Sequence, residues 1–192
     1  MVTFATAEGA SRRTSTARVM AALIALGFTL GLLGLAGPAP AEAVTVANAS
    51  TSQSVPAPRF SSSYDKTLLR LINNARTSRG IAPLKTTKKL SKASGKWSKK
   101  IAAKRALSHD PRLRASVSAK AGCTSVRSWG ENVAYTSGSA SSMFSMYMNS
   151  PGHRANILNN GFTHVGVKSL KRAASWGGVY WNTMKFVTAR CS

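Results

Sequence analysis

A layered α+β domain is the fold class that this chain predicts, and three observations predict it. Stretches in its middle carry apolar residues at helical spacing, stretches near its end carry them at strand spacing, and helices come before strands rather than alternating with them. An apolar share of 43% with four Trp and six Phe in 192 residues is enough for one packed core and argues against wholesale disorder.

The first helix is expected over about 63–79. Ser61, Ser62 and Ser63 offer N-caps, Leu68, Leu69, Ile72 and Ala75 recur on one face, and Gly80 stops the run. Ile81–Leu84 reads as an extended connector that buries Ile81 and Leu84. The second helix, about 87–106, has Leu90, Ala93, Trp97, Ile101 and Ala102 as its inner stripe. Lys88, Lys89, Lys92, Lys96, Lys99, Lys100 and Lys104 fill most of the remainder. Those like charges repel, so the apolar face must pack well to hold the helix. Residues 107–135 show no period and are read as irregular. A third helix is expected over about 139–148. Ser150 then N-caps a restart with Pro151 in the first turn, where its missing N–H costs nothing. Strands are expected over 163–169 and 178–187, with Lys171 and Arg172 in the loop between them.

The beginning of the chain reads as an address. Arg12, Arg13 and Arg18 precede an uncharged apolar run over 19–36, and Ala41 and Ala43 supply an A-x-A cleavage site. Residues 1–43 are therefore expected to be a signal peptide, with an uncleaved anchor as the rival reading. Once cleaved, the chain would carry no transmembrane anchor and would be secreted, extracellular or wall-associated. Residues 44–62 read as a flexible linker rich in Ser, Thr, Ala, Val and Pro, and 63–192 as the domain.

The whole chain has 27 Lys plus Arg against five Asp plus Glu. Past residue 43 the only side-chain carboxylates are Asp65, Asp110 and Glu131, and the net charge is +21. That scarcity nearly excludes a calcium cage and leaves few ways to build a two-carboxylate glycosidase. The charge will attract polyanions such as anionic wall polymers or lipid headgroups. Specific nucleic-acid recognition is not expected, because aromatic residues interleaved for base stacking are lacking. Cys123 and Cys191 are the only cysteines, so in an exported chain one disulfide is the default. The long loop it closes corresponds to about 4 kcal/mol in the chain-entropy picture.

Several patches stand in a recognisable order: Leu71-Ile72-Asn73-Asn74-Ala75-Arg76, Leu107-Ser108-His109, Gly130-Glu131-Asn132-Val133-Ala134, Met148 to Leu158, and Phe162 to Val167. Together they resemble the CAP superfamily (cysteine-rich secretory proteins, antigen 5, pathogenesis-related 1) in its bacterial secreted branch. The resemblance covers about 63–190. It implies a three-layer α-β-α sandwich with a cleft, and in many members a His–Glu–Glu–His tetrad that sometimes holds a divalent cation. By that resemblance His109 and His153 take the two His places and Glu131 one Glu place. Ser150, three residues after Tyr147, stands where the second Glu is usual, so one carboxylate is missing.

His109, Glu131, His153 and Ser150 are thus the candidate cleft residues. His109 and His153 are the candidate ligands of zinc or another divalent cation, since two imidazoles with water are a reasonable start to a tetrahedral site. Glu131 would fix a tautomer, act as a general base, or simply pin a loop through backbone N–H groups. His164 reads as a surface residue, and Asp110, before Pro111, as a turn cap. No nucleophile signature is present and no catalytic residue is assigned. Three readings follow: an exported module binding a small hydrophobic ligand, lipid or cation; a metal-dependent peptidase or other hydrolase, as proposed for some relatives; or a cationic wall adhesin with a vestigial cleft.

Overall fold

The structure, a computed structural model, describes residues 56–118, 121–174 and 177–192. The leader, its cleavage site and most of the expected linker lie outside the described residues. Among these residues the elements run β1 (Arg59–Phe60), α1 (Ser62–Thr77), α2 (Lys88–Lys104), α3 (Leu113–Val117), β2 (Cys123–Thr136), α4 (Ala140–Asn149), α5 (Pro151–Leu158), β3 (His164–Ala174) and β4 (Gly177–Cys191). The strands form one antiparallel sheet in the order β1-β3-β4-β2.

Alternation along β4 divides the core into two layers. Met184 and Phe186 point to one face, where Leu68 and Ile72 of α1, Met143 and Tyr147 of α4 and Ile157 of α5 cover them. Val179 and Trp181 point to the other, under Trp97, Ile101 and Ala102 of α2. Val187 continues that second face against Leu90 of α2 and Val117 of α3. The sheet therefore lies between two helical layers, as the α+β reading requires.

Helix α2 sits unusually close to β3. Ser94 Oγ donates to the Gly166 carbonyl (2.8 Å) and Ser98 Oγ to that of Lys168 (2.8 Å). A Cβ at residue 166 would overlap the Leu90 carbonyl, so only Gly allows this approach. Thr87 caps the helix, its Oγ1 accepting from Leu90 N–H at 3.1 Å. On the other side, fully buried Arg76 of α1 donates to the carbonyls of Ala82, Ile157, Asn159 and Phe162. It ties α1 to the end of α5 through carbonyls that would otherwise be orphaned.

Three local expectations change. The stretch read as irregular contains α3 and the 14-residue strand β2, which lacks a clean period because pairing with β4 makes it a strand. Lys171 and Arg172 lie within β3, opposite Tyr180 and Val179, and the hairpin turns beyond them. Arg172 spends its guanidinium on the Ala102 carbonyl near the end of α2 (2.8 Å). Arg59–Phe60, in the stretch read as linker, pairs with Lys171 and Leu170. The cysteines form the Cys123–Cys191 disulfide, between directly opposed residues of β2 and β4.

Candidate functional site

The site is built at the end of the strand order, where β2 has no further neighbour among the described strands. Glu131 of β2 lies opposite Lys185 of β4, and both face the α2–α3 layer. Lys185 is wholly buried, and its Nζ donates to Glu131 Oε2 (2.9 Å), Asp110 Oδ2 (2.8 Å) and Ser116 Oγ (3.0 Å). All three ammonium protons are thereby satisfied, the condition under which a charge can be buried at all.

The loop carrying His109 is held from both ends. Trp97 Nε1 on α2 donates to the Ser108 carbonyl (2.7 Å). Asp110 N–H donates to Glu131 Oε1 (2.9 Å), while Asp110 Oδ1 accepts from Arg112 N–H (3.0 Å) in the turn that leads to α3. Glu131 Oε1 also accepts from His109 Nδ1 at 2.9 Å. An ionised carboxylate only accepts, so the proton of neutral His109 sits on Nδ1 and Nε2 keeps its lone pair. The His109 side chain is 23% exposed and that of Glu131 1%.

Helix α5 forms the opposite wall. Gly152, Ala155, Asn156 and Asn159 share one face and line a cavity of about 820 Å³ together with His109 and Glu131. Asn156 Nδ2 donates to Asn132 Oδ1 (2.8 Å) and Asn132 Nδ2 to the His153 carbonyl (3.0 Å), stitching α5 to β2. A Cβ at Gly130 would meet Asn156 Oδ1 at 2.8 Å, which explains the glycine. The three residues Gly130, Glu131 and Asn132 thus have separate tasks: close approach, the buried charge, and the α5 contact.

Of the residues singled out from sequence, His109 and Glu131 meet in this cavity. His153 is half-buried on the neighbouring stripe of α5, its ring edge-on to Tyr147 (centroids 5.1 Å apart, 81°), and it is not among the cavity-lining residues. Ser150 is buried and N-caps α5 through backbone conformation, without a side-chain cap bond. Asp110 does cap a turn, and it is also half of the Lys185 ion pair. His164 is half-buried, with Nδ1 2.9 Å from Thr163 Oγ1. Its pKa moves down through burial first and the nearby Lys85 charge second. Sequence reasoning missed Lys185, Trp97 and Asn156. The available signal for Lys185 was a lone cation inside a strand run, between Met184 and Phe186.

The electrostatics follow from these bonds. Burial alone would raise the Asp110 carboxyl pKa, but the Lys185 hydrogen bond and charge outweigh it and the net shift is downward. Lys185 answers both carboxylates, and Arg112 and Arg114 stand on the cavity wall, Arg114 over the Trp129 ring at 5.2 Å. The donor set does not suit a cation. Both Glu131 oxygens are engaged, a cation there would compete with an ammonium at 2.9 Å, and His109 Nε2 is the one ring nitrogen not bonded to Glu131. No group of three or more His, Cys, Asp or Glu among the described residues is arranged to hold a metal ion.

Comparison with known proteins agrees with this architecture. The cysteine-rich secretory protein (CAP) family matches residues 69–186. The YkwD protein of Bacillus subtilis strain 168 is 32% identical over 128 residues, 66% of this chain and 50% of its own length. The chain thus spans about half of that relative. An outer surface protein of Borrelia burgdorferi superposes with a TM-score of 0.59 at 15% identity, covering 70% of this chain and all of its own. An extracellular SCP-domain protein from Bacillus anthracis superposes at 0.54 with 22% identity, covering 65% of this chain and 40% of its own. The chain belongs to the CAP superfamily, in its bacterial branch.

Proposed function

We propose that this chain is an exported binding module, acting outside the cell or at its wall, whose cleft takes a small ligand against His109. The observation that carries this reading is the His109–Glu131–Lys185 arrangement. A buried ion pair fixes one imidazole tautomer and leaves its second nitrogen at the wall of a cavity large enough for a small molecule. The extracellular setting is supported by the leader-like first 43 residues and by the solved relatives, two of which are described as extracellular and outer-surface proteins. No helix among the described residues is long and apolar enough to cross a membrane.

The hydrolase reading is less well supported. Glu131, the base it would need, has both oxygens engaged and acts as the positioning group for His109.

The test is nuclear magnetic resonance of the ring nitrogens in the purified protein, with zinc chloride, glycerol phosphate and dihexanoyl-phosphatidylglycerol added separately. At least one probe is expected to move the His109 Nε2 resonance while leaving His164, outside the cavity, in place. If none of the three moves it, or if His109 and His164 always respond alike, the cleft reading fails.

A further inference from the structure

The seven lysines of α2 are all exposed, and no side-chain carboxylate among the described residues pairs with them. Every side-chain carboxylate among the described residues is already engaged elsewhere: Asp65 with Lys168, Asp110 with Lys185, and Glu131 with Lys185 and His109. Like charges three and four residues apart destabilise a helix. The fold tolerates that repulsion without using it.

The lysines are also arranged. Lys89, Lys92, Lys96 and Lys100 lie at spacings of three and four along α2, roughly 16 Å from first to last. They line a groove of about 670 Å³ together with Arg112 and with Ala115 and Ser116 of α3. Asp110, Arg112 and Ala115 line both this groove and the His109 cavity, so the two adjoin along this stretch of chain. Asp110, the carboxylate at the junction, is answered by Lys185. The positive charge along the path comes from the α2 lysines, Arg112 and Arg114, while Asp110 and Glu131 share the single charge of Lys185.

We propose that this groove is a track for a linear polymer of phosphodiesters, a poly(alditol phosphate) chain, that leads one repeat into the His109 cleft. The inference rests on the cleft reading for its end point and names the ligand class. Compact, strongly hydrated ammonium groups in series suit successive phosphates, and Arg112 at the junction suits one phosphate held bidentately. Nucleic acid fits less well. The groove's aromatic residue, Trp97, is buried and has Lys100 Nζ 4.7 Å from its ring centre, so it offers no free face for a base.

The test is equilibrium binding of the purified protein to deacylated poly(glycerol phosphate), at several salt concentrations. The triple variant Lys92→Gln, Lys96→Gln, Lys100→Gln is compared with Arg70→Gln, Arg127→Gln, Arg190→Gln, which removes the same charge from exposed sites on α1, β2 and β4. The groove triple is expected to weaken binding at least tenfold and to lower the salt slope by roughly 2, at about 0.7 per phosphate contact on a single strand. The control should change affinity by less than threefold. Equal losses in both variants would overturn the track and leave only net charge. Tighter binding of an oligo(dT) with the same number of phosphates would overturn the ligand class. His109→Ala separates the two readings. If the groove triple behaves as expected but His109→Ala changes neither polymer nor glycerol phosphate binding, the track stands and the cleft end point is lost. If His109→Ala abolishes glycerol phosphate binding while the two triples behave alike, the cleft stands and the track falls.

Discussion

Lys185 is wholly buried and carries two carboxylates on its one charge. Replacing it with Met would leave Asp110 and Glu131 without their cation, Glu131 fully inside the fold. Loss of one partner from a buried ion pair typically costs about 3–5 kcal/mol. The Lys185→Met protein is therefore expected to unfold at markedly lower urea, and an unchanged midpoint would show that the pair is not structural. Asp110 and Asp65 respond to pH with opposite signs. The Asp110 carboxyl pKa is lower in the folded protein, so its stabilisation is complete above the unfolded value of about 3.9 and is lost as pH falls through the folded one. The Asp65 pKa is raised, burial outweighing the help of Ser169 and of Lys168, whose Nζ stands 3.2 Å away without hydrogen-bond geometry. Ionising Asp65 therefore costs the fold stability as pH rises through and above its unfolded value. At pH 7 Asp110→Asn is expected to lower the thermal midpoint and Asp65→Asn to leave it unchanged or raise it. Equal losses would contradict this assignment.

Two close approaches hold α2, from which the His109 loop hangs, and α5, which walls the cavity. Seating α2 on β3 requires Gly166, and Gly130 leaves room for the Asn156 side chain that joins α5 to β2. Gly166→Ala drives a methyl group into the α2 backbone, an overpacking expected to cost about 1–3 kcal/mol and measurable by denaturant titration. The change should also loosen the His109 loop, which hangs on α2 through Trp97, so exchange of the Ser108–Asp110 amides should quicken beyond the global loss. If those amides exchange no faster than the rest, the loop is held by Glu131 alone. At this scale the helices were largely legible. Apolar spacing placed α1, α2 and α4 within two residues of their bounds, because a helix carries its period in its own sequence, and Ser150-Pro151 marked the start of α5. Strand β2 was not legible, because its conformation is imposed by β4 across 11 paired positions rather than by its own pattern.

For the whole molecule the Cys123–Cys191 bond and the charge act in opposite directions. The bond joins strand positions 68 residues apart in sequence and restricts the unfolded chain. Replacing both cysteines with Ser is expected to cost about 4 kcal/mol, read from the shift in the urea midpoint between variant and parent. The charge does the reverse. A chain of net charge +22, with a lysine face that no side-chain carboxylate among the described residues pairs, repels itself, so its thermal midpoint should rise as sodium chloride is raised from low to moderate concentration. A midpoint that falls instead would mean that attractive pairs dominate the electrostatics.

The amino-acid sequence by itself determined the α+β class, the two helical layers' apolar stripes, the disulfide by default, and the pairing of His109 with Glu131 through family resemblance. Each is written in local pattern, in residue scarcity or in motif order. Only the tertiary structure decided that Glu131 is spent on Lys185, that His153 turns toward Tyr147, and that four α2 lysines line a groove beside the cleft. Those outcomes depend on which residues β-pairing and helix docking bring together across 54 or more positions for the ion pair, and no local pattern encodes a partner that far away.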